Sequence, residues 1–122
     1  ATIRRQRQMC IRDSSHSSPW IHVQTTVEHL KDARQIARGL VETRLAACVQ
    51  IQAEIESIYR WNGQIEQGRE WSLVAKSHVR LWSDLATWID ENHPYECPQL
   101  IALPLVRVAP SFESWLNDQL LD

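Results

Sequence analysis

The run His93-Pro94-Tyr95-Glu96-Cys97-Pro98 crowds an imidazole, a phenol, a carboxylate and a thiol into one turn between two prolines. Imidazole and thiolate are donors that suit copper and zinc, which makes His93 and Cys97 the candidate metal ligands. The same residues allow a second reading, a turn that ends a helix and sets its histidine against the helix carboxyl end. Other chemistries lack their residues. His-Glu-x-x-His and spaced Cys/His zinc pairs are absent, and the histidines at 16, 22, 29, 78 and 93 never stand at i, i+4. No Gly-x-Ser-x-Gly elbow is present. Cys48 and Cys97 are the available thiol nucleophiles, although a free cysteine more often packs as a small hydrophobe. The three glycines, Gly39, Gly63 and Gly68, are spaced for neither kind of phosphate-cradling loop, which excludes nucleotide enzymes of those classes.

The elements that must carry this turn follow from periodicity. Ile21, Val23 and Thr25 alternate with His22 and Gln24 as a short strand. From Glu28 to Arg44 the period changes, and Leu30, Ala33, Ile36, Ala37, Leu40 and Val41 form the stripe of an amphipathic helix. Next comes a long alternating run, with Val49, Ile51, Ala53, Ile55, Ser57, Tyr59 and Trp61 expected on one face. Asn62-Gly63 marks a type I′ hairpin, and Trp71, Leu73 and Ala75 alternate on the return strand up to Lys76. Leu81, Leu85, Trp88, Ile89 and Asn92 predict a second helix, closed by Pro94. Leu100 to Val106 reads as a last apolar strand, with Pro104 implying an edge or a bulge. Ser111 is the expected cap of a terminal helix whose apolar side is Phe112, Trp115, Leu116 and Leu120, with Trp88 and Trp115 expected in the core. The order β-α-β-β-α-β plus a helix is an α+β, ferredoxin-like arrangement, an antiparallel sheet with both helices on one face.

Composition sets the context. The chain of 122 residues, 43% hydrophobic and 23% charged, suits one soluble domain. Residues 1–18 hold four arginines against one aspartate and lack periodicity, so they read as a disordered basic arm or an appended leader, with the domain at 19–122. The remainder holds 9 Lys/Arg and 14 Asp/Glu, an acidic body that repels phosphate backbones, so no nucleic-acid partner is expected. Three cysteines without a Cys-x-x-Cys pair point to a reducing compartment, the cytoplasm. No apolar run approaches a membrane span, so no membrane partner is expected. Trp61 and Trp71 flank the hairpin of a long two-stranded ribbon, which is marginal alone and is expected to pack on another subunit.

Ala46-Ala47-Cys48-Val49, Ser57-Ile58-Tyr59-Arg60-Trp61-Asn62-Gly63, Lys76, His93-Pro94-Tyr95-Glu96-Cys97-Pro98 and Ser114-Trp115-Leu116 together resemble the CutA family of divalent-cation tolerance proteins. The resemblance covers about Trp20 to Leu121. It implies a ferredoxin-like homotrimer with hairpins pairing between subunits and a link to copper or other divalent-cation tolerance. It also implies a likeness to PII-type signal proteins. In copper-binding members a cysteine at the end of the first strand joins two consecutive histidines before Pro-Tyr. Here those positions read Gln24 or Thr25 and Asn92-His93, so one of the three ligands is present, and amide or hydroxyl replacements are poor copper donors.

Two functions follow. One is a non-enzymatic homotrimer in divalent-cation (copper) tolerance, with weak binding of copper or another divalent cation through His93 and Cys97. The alternative is a small-molecule sensing module of the PII or ACT kind. Its inter-subunit pocket would be lined by Trp61, Glu70, Lys76, His93 and Tyr95. Enzyme and RNA-binding readings lack support. Thr25-Thr26-Val27-Glu28 has no anion-cradling arginine or glycine, and Trp71-Ser72-Leu73-Val74 is not a basic-aromatic sheet face.

Overall fold

A computed structural model describes residues 18–122, so the arm expected over 1–18 lies, but for Ser18, outside the described residues. In chain order the elements are β1 (Trp20–Val27), α1 (Leu30–Glu42), β2 (Cys48–Trp61), β3 (Gln64–His78), a 3-10 turn (Val79–Leu81), α2 (Trp82–Asn92), β4 (Ile101–Pro104) and α3 (Pro110–Gln119). The four strands form one sheet in the order β2-β3-β1-β4, with every neighbouring pair antiparallel. The fold is thus α+β. The last strand is shorter than the expected Leu100–Val106, and Pro104 does lie on an edge strand, where a missing N–H costs the sheet little.

Alternation decides which side chains enter the core. Ile21, Val23 and Val27 of β1 stand across from Ser77, Ala75 and Trp71 of β3, and this face meets the stripe Ala33, Ile36 and Leu40 of α1 together with Leu85 and Ile89 of α2. Both helices therefore share one face. Trp20 points the other way and forms a second cluster with Leu81, Leu116 and Leu120, which seats α3. Its indole N–H donates to Glu113 Oε2 at 2.8 Å, so the ring is satisfied at its polar edge as well as buried. The chain beyond α3 is tied down by the Leu121 N–H to the Arg44 carbonyl at 3.0 Å.

The hairpin forms as Asn62-Gly63 demands, with φ of 50° and 77°, the two positive values of a type I′ turn. The expected single face of β2 does not hold. Gln52 pairs with Ser72 but Ile55 pairs with Glu70, so one extra residue is accommodated on β2 between them. Because side chains alternate with period two, the extra residue exchanges the faces beyond it. Val49 and Ile51 pack against the core, whereas Ser57, Tyr59 and Trp61 lie on the opposite side of the sheet.

Two end-of-helix expectations also change. Ala109, not Ser111, is the N-cap of α3, with no side-chain cap, because Pro110 already fixes the first helical φ. Trp115 is 43% exposed rather than core, stacked on Phe112 with ring centroids 5.7 Å apart. Trp88 packs at the margin of the core, and its ring lies on Gly39.

That contact sets the sign of one substitution. A Cβ at position 39 would stand 2.3 Å from Trp88 Cζ2. Gly39→Ala should therefore lower stability by about 1–3 kcal/mol through overpacking, despite the roughly 1 kcal/mol that helix propensity favours alanine. Urea unfolding checks this, and the double variant Gly39→Ala, Trp88→Leu should recover much of the loss. Thr25 gives the opposite case. Its hydroxyl is buried on the core side without a partner. Thr25→Val should raise stability by about 1 kcal/mol, read as a higher melting temperature.

Candidate functional site

The displaced face of β2 meets the end of β1 and the loop after α2 in one cleft of about 770 Å³. Glu70 of β3, across from Ile55, faces it together with Ser57, Tyr59 and Trp61 of β2 and Thr26 of β1. The loop supplies Tyr95, Glu96 and Cys97.

The loop is held to the sheet through His93. It caps α2 in extended conformation, and its N–H closes the helix on the Ile89 carbonyl at 2.8 Å. Its ring, 8% exposed, turns away from the helix end. Nδ1 accepts the Tyr95 amide at 3.0 Å, so the proton lies on Nε2, which donates to the Thr26 carbonyl at 2.9 Å. The turn does end the helix at His93, as the second reading expects, but the imidazole itself meets a β1 carbonyl and not the helix carboxyl end. Burial lowers the His93 pKa, with the Thr26 carbonyl, Asp32 and Glu70 opposing the shift only in part.

Tyr95 continues the chain of bonds. Its hydroxyl donates to Glu70 Oε2 at 2.8 Å, and its ring lies 4.8 Å from that of His93. Burial and the neighbouring Glu70 carboxylate push the phenol pKa far up, so it stays a donor. Burial alone would raise the Glu70 pKa, but the hydroxyls of Ser57, Tyr95 and Thr26, with His93, bring it below the ordinary carboxylate value. Glu70 is thus a pre-oriented anion at neutral pH.

Of the expected residues, Trp61, Glu70, Tyr95 and Cys97 line the cleft, with His93 behind Tyr95. Lys76 does not join them. It stands between Cys48 and His22 in the register, its Nζ donating to Gln50 Oε1 at 3.4 Å. Thr26, Ser57 and Tyr59 are among the lining residues that sequence reading missed. The bulge that brings Ser57 and Tyr59 there has no residue signature.

The donor set does not fit the copper site that the family resemblance implies. Both ring nitrogens of His93 are already engaged, and Cys97 is exposed at the rim. Thr25, in the place of a cysteine ligand, is buried on the core side, and Gln24 alternates to the other. Among the described residues no group of three or more His, Cys, Asp or Glu side chains could hold a metal ion.

Acid should loosen this arrangement. The folded His93 resists a proton that the unfolded chain accepts below the ordinary value of 6.5, and the low pKa of Glu70 acts in the same direction at lower pH. Stability should be full above pH 6.5 and fall as pH drops toward 5. His93→Gln should make the fall shallower without abolishing it, because burial also lowers the pKa of His22 and His78. Melting temperatures across that range check both slopes.

The family model described as CutA1 divalent ion tolerance protein matches residues 21–119. The chloroplastic protein CutA of Arabidopsis thaliana is 33% identical over 108 residues, 88% of this chain and 59% of that protein. The divalent-cation tolerance protein CutA of Thermus thermophilus is 38% identical over 93 residues, 76% of this chain and 90% of that protein. The crystal structure of CutA1 from Oryza sativa superimposes with a TM-score of 0.83 at 31% identity, covering 86% of this chain and 96% of that one. The chain spans little more than half the length of the Arabidopsis, Xenopus and mouse relatives. No helix among the described residues is long and apolar enough to cross a membrane. With motifs, strand arrangement and family match all covering the same residues, the chain belongs to the CutA1 divalent ion tolerance family.

Proposed function

We propose that the chain serves divalent-cation tolerance as a cytoplasmic homotrimer of ferredoxin-like subunits and performs no reaction of its own. The observation that carries this reading is the uncovered ribbon beyond the bulge. Ile58 and Ile65 are 66% and 68% exposed on the face of the ribbon opposite Ser57, Tyr59 and Trp61, with Ile58 also reaching the margin of the cleft. All four residues of the edge strand β4, including Ile101 and Leu103, are exposed as well. A two-stranded ribbon and an apolar edge are stable in water only when something covers them, and a second copy offers matching edges. Cys48 and Cys97 are free thiols, which supports a reducing compartment. Metal contact is weak in this reading, because His93 must release a hydrogen bond before joining the Cys97 thiol.

A second reading is favoured by the cleft itself. About 770 Å³ is the size of a small-molecule pocket, and it opens beside the ribbon that would meet a neighbouring subunit, which supports a PII- or ACT-like sensing module.

Sedimentation tests the assembly. The expected mass is three times the 14.2 kDa chain, and the double variant Ile58→Lys, Ile65→Lys should shift it toward monomer. A stable wild-type monomer at micromolar concentration overturns the proposal. Calorimetric titration with Cu²⁺ should give similar weak heats for wild type and His93→Ala. A tight site lost in the variant would contradict the weak-binding part.

A further inference from the structure

The chemistry of the cleft is one-sided. None of its lining residues is lysine or arginine. Arg60 and Arg69 alternate onto the opposite face of the ribbon, and Lys76 reaches Gln50 instead. Glu56 contributes to the lining, but its carboxylate accepts from Gln67 on that opposite face. What remains toward the cleft is the Glu70 carboxylate beside the rings of Tyr59, Trp61 and Tyr95, with Glu96 a second, exposed carboxylate on the loop. Such a site has nothing to neutralise a phosphate, which argues against nucleotides.

A bare metal ion fits no better. Divalent cations ask for several anionic or neutral oxygen donors around one point, and the Glu70 carboxylate is already engaged by hydroxyls. An ammonium nitrogen asks for less. One carboxylate and the faces of aromatic rings satisfy it, while the volume accommodates an attached apolar body. Resting on the reading of the cleft as a ligand pocket, we infer that it takes an organic ammonium ion. Its charged nitrogen sits against Glu70 and its apolar body among Tyr59, Trp61 and Tyr95. The depressed pKa of Glu70 supports this, since the carboxylate remains charged over the range in which amines are protonated.

The test is a titration of the full chain with phenethylammonium, 2-phenylethanol, phenylacetate, ATP and Cu²⁺, following the Trp61 indole resonance and the calorimetric affinity. The amine should move the Trp61 signal, and the alcohol should bind about tenfold or more weakly, as loss of a charge-assisted hydrogen bond implies. Glu70→Gln should weaken the amine about tenfold or more. Trp61→Leu, at a 43% exposed position, should retain the fold and weaken it about threefold. Equal binding of amine and alcohol, or an unaffected Glu70→Gln, overturns the inference. If phenylacetate, ATP or Cu²⁺ moves Trp61 while the amine does not, the pocket stands and the ammonium assignment falls. If no probe moves it, both fall. Should Glu70→Gln fail to fold, the amine-alcohol comparison and Trp61→Leu decide.

Discussion

Between Gln52 and Ile55 the chain advances three residues on β2 while β3 advances two. A strand has no way to absorb an odd residue except by exchanging its faces, because the pleat repeats every two. Everything about the cleft depends on that exchange. The near half of β2 presents Val49 and Ile51 to the helices, as a core strand should. The far half presents Ser57, Tyr59 and Trp61 beside Glu70, and sends Ile58 and Arg60 to the other side. One strand therefore serves the core at one end and a polar-aromatic site at the other, without a break in its hydrogen-bonded pairing with β3 except at the bulge.

The second organising device is a relay of hydrogen bonds that ties the loop after α2 to the sheet. The Thr26 carbonyl accepts from His93, His93 accepts from the Tyr95 amide, and the Tyr95 hydroxyl donates to Glu70. Each link fixes the protonation state of the next. The amide on Nδ1 requires the proton to be on Nε2, and the carboxylate at Glu70 requires a neutral phenol. A histidine used this way is a structural strut, and recruiting it as a ligand means dismantling the strut.

Much of this was legible from residue types. Alternation located β1 and β3, three- and four-residue spacing located α1 and α2, and Asn62-Gly63 located the turn, because each pattern is dictated by local backbone geometry. The bulge was not legible, since Ala53 and Glu54 are ordinary strand residues and the register depends on the partner strand. That one blind spot hid Ser57 and Tyr59 from the site. Lys76 was misplaced for a related reason: a charged residue on the return strand looks like any other until the register says how far along it lies. Trp115 shows a third limit, because a helical stripe marks a face and not its distance from the core.

The ring of Trp88 resting on Gly39 carries a consequence for how relatives of this chain can diverge. The two positions occupy one shared volume, so neither can drift alone: a side chain at 39 demands a smaller neighbour at 88, and a large ring at 88 preserves the bare backbone at 39. Across descendants the pair should be inherited as a single character, glycine with tryptophan or a larger residue with a smaller one, and the spacing between α1 and α2 should change only when that character does.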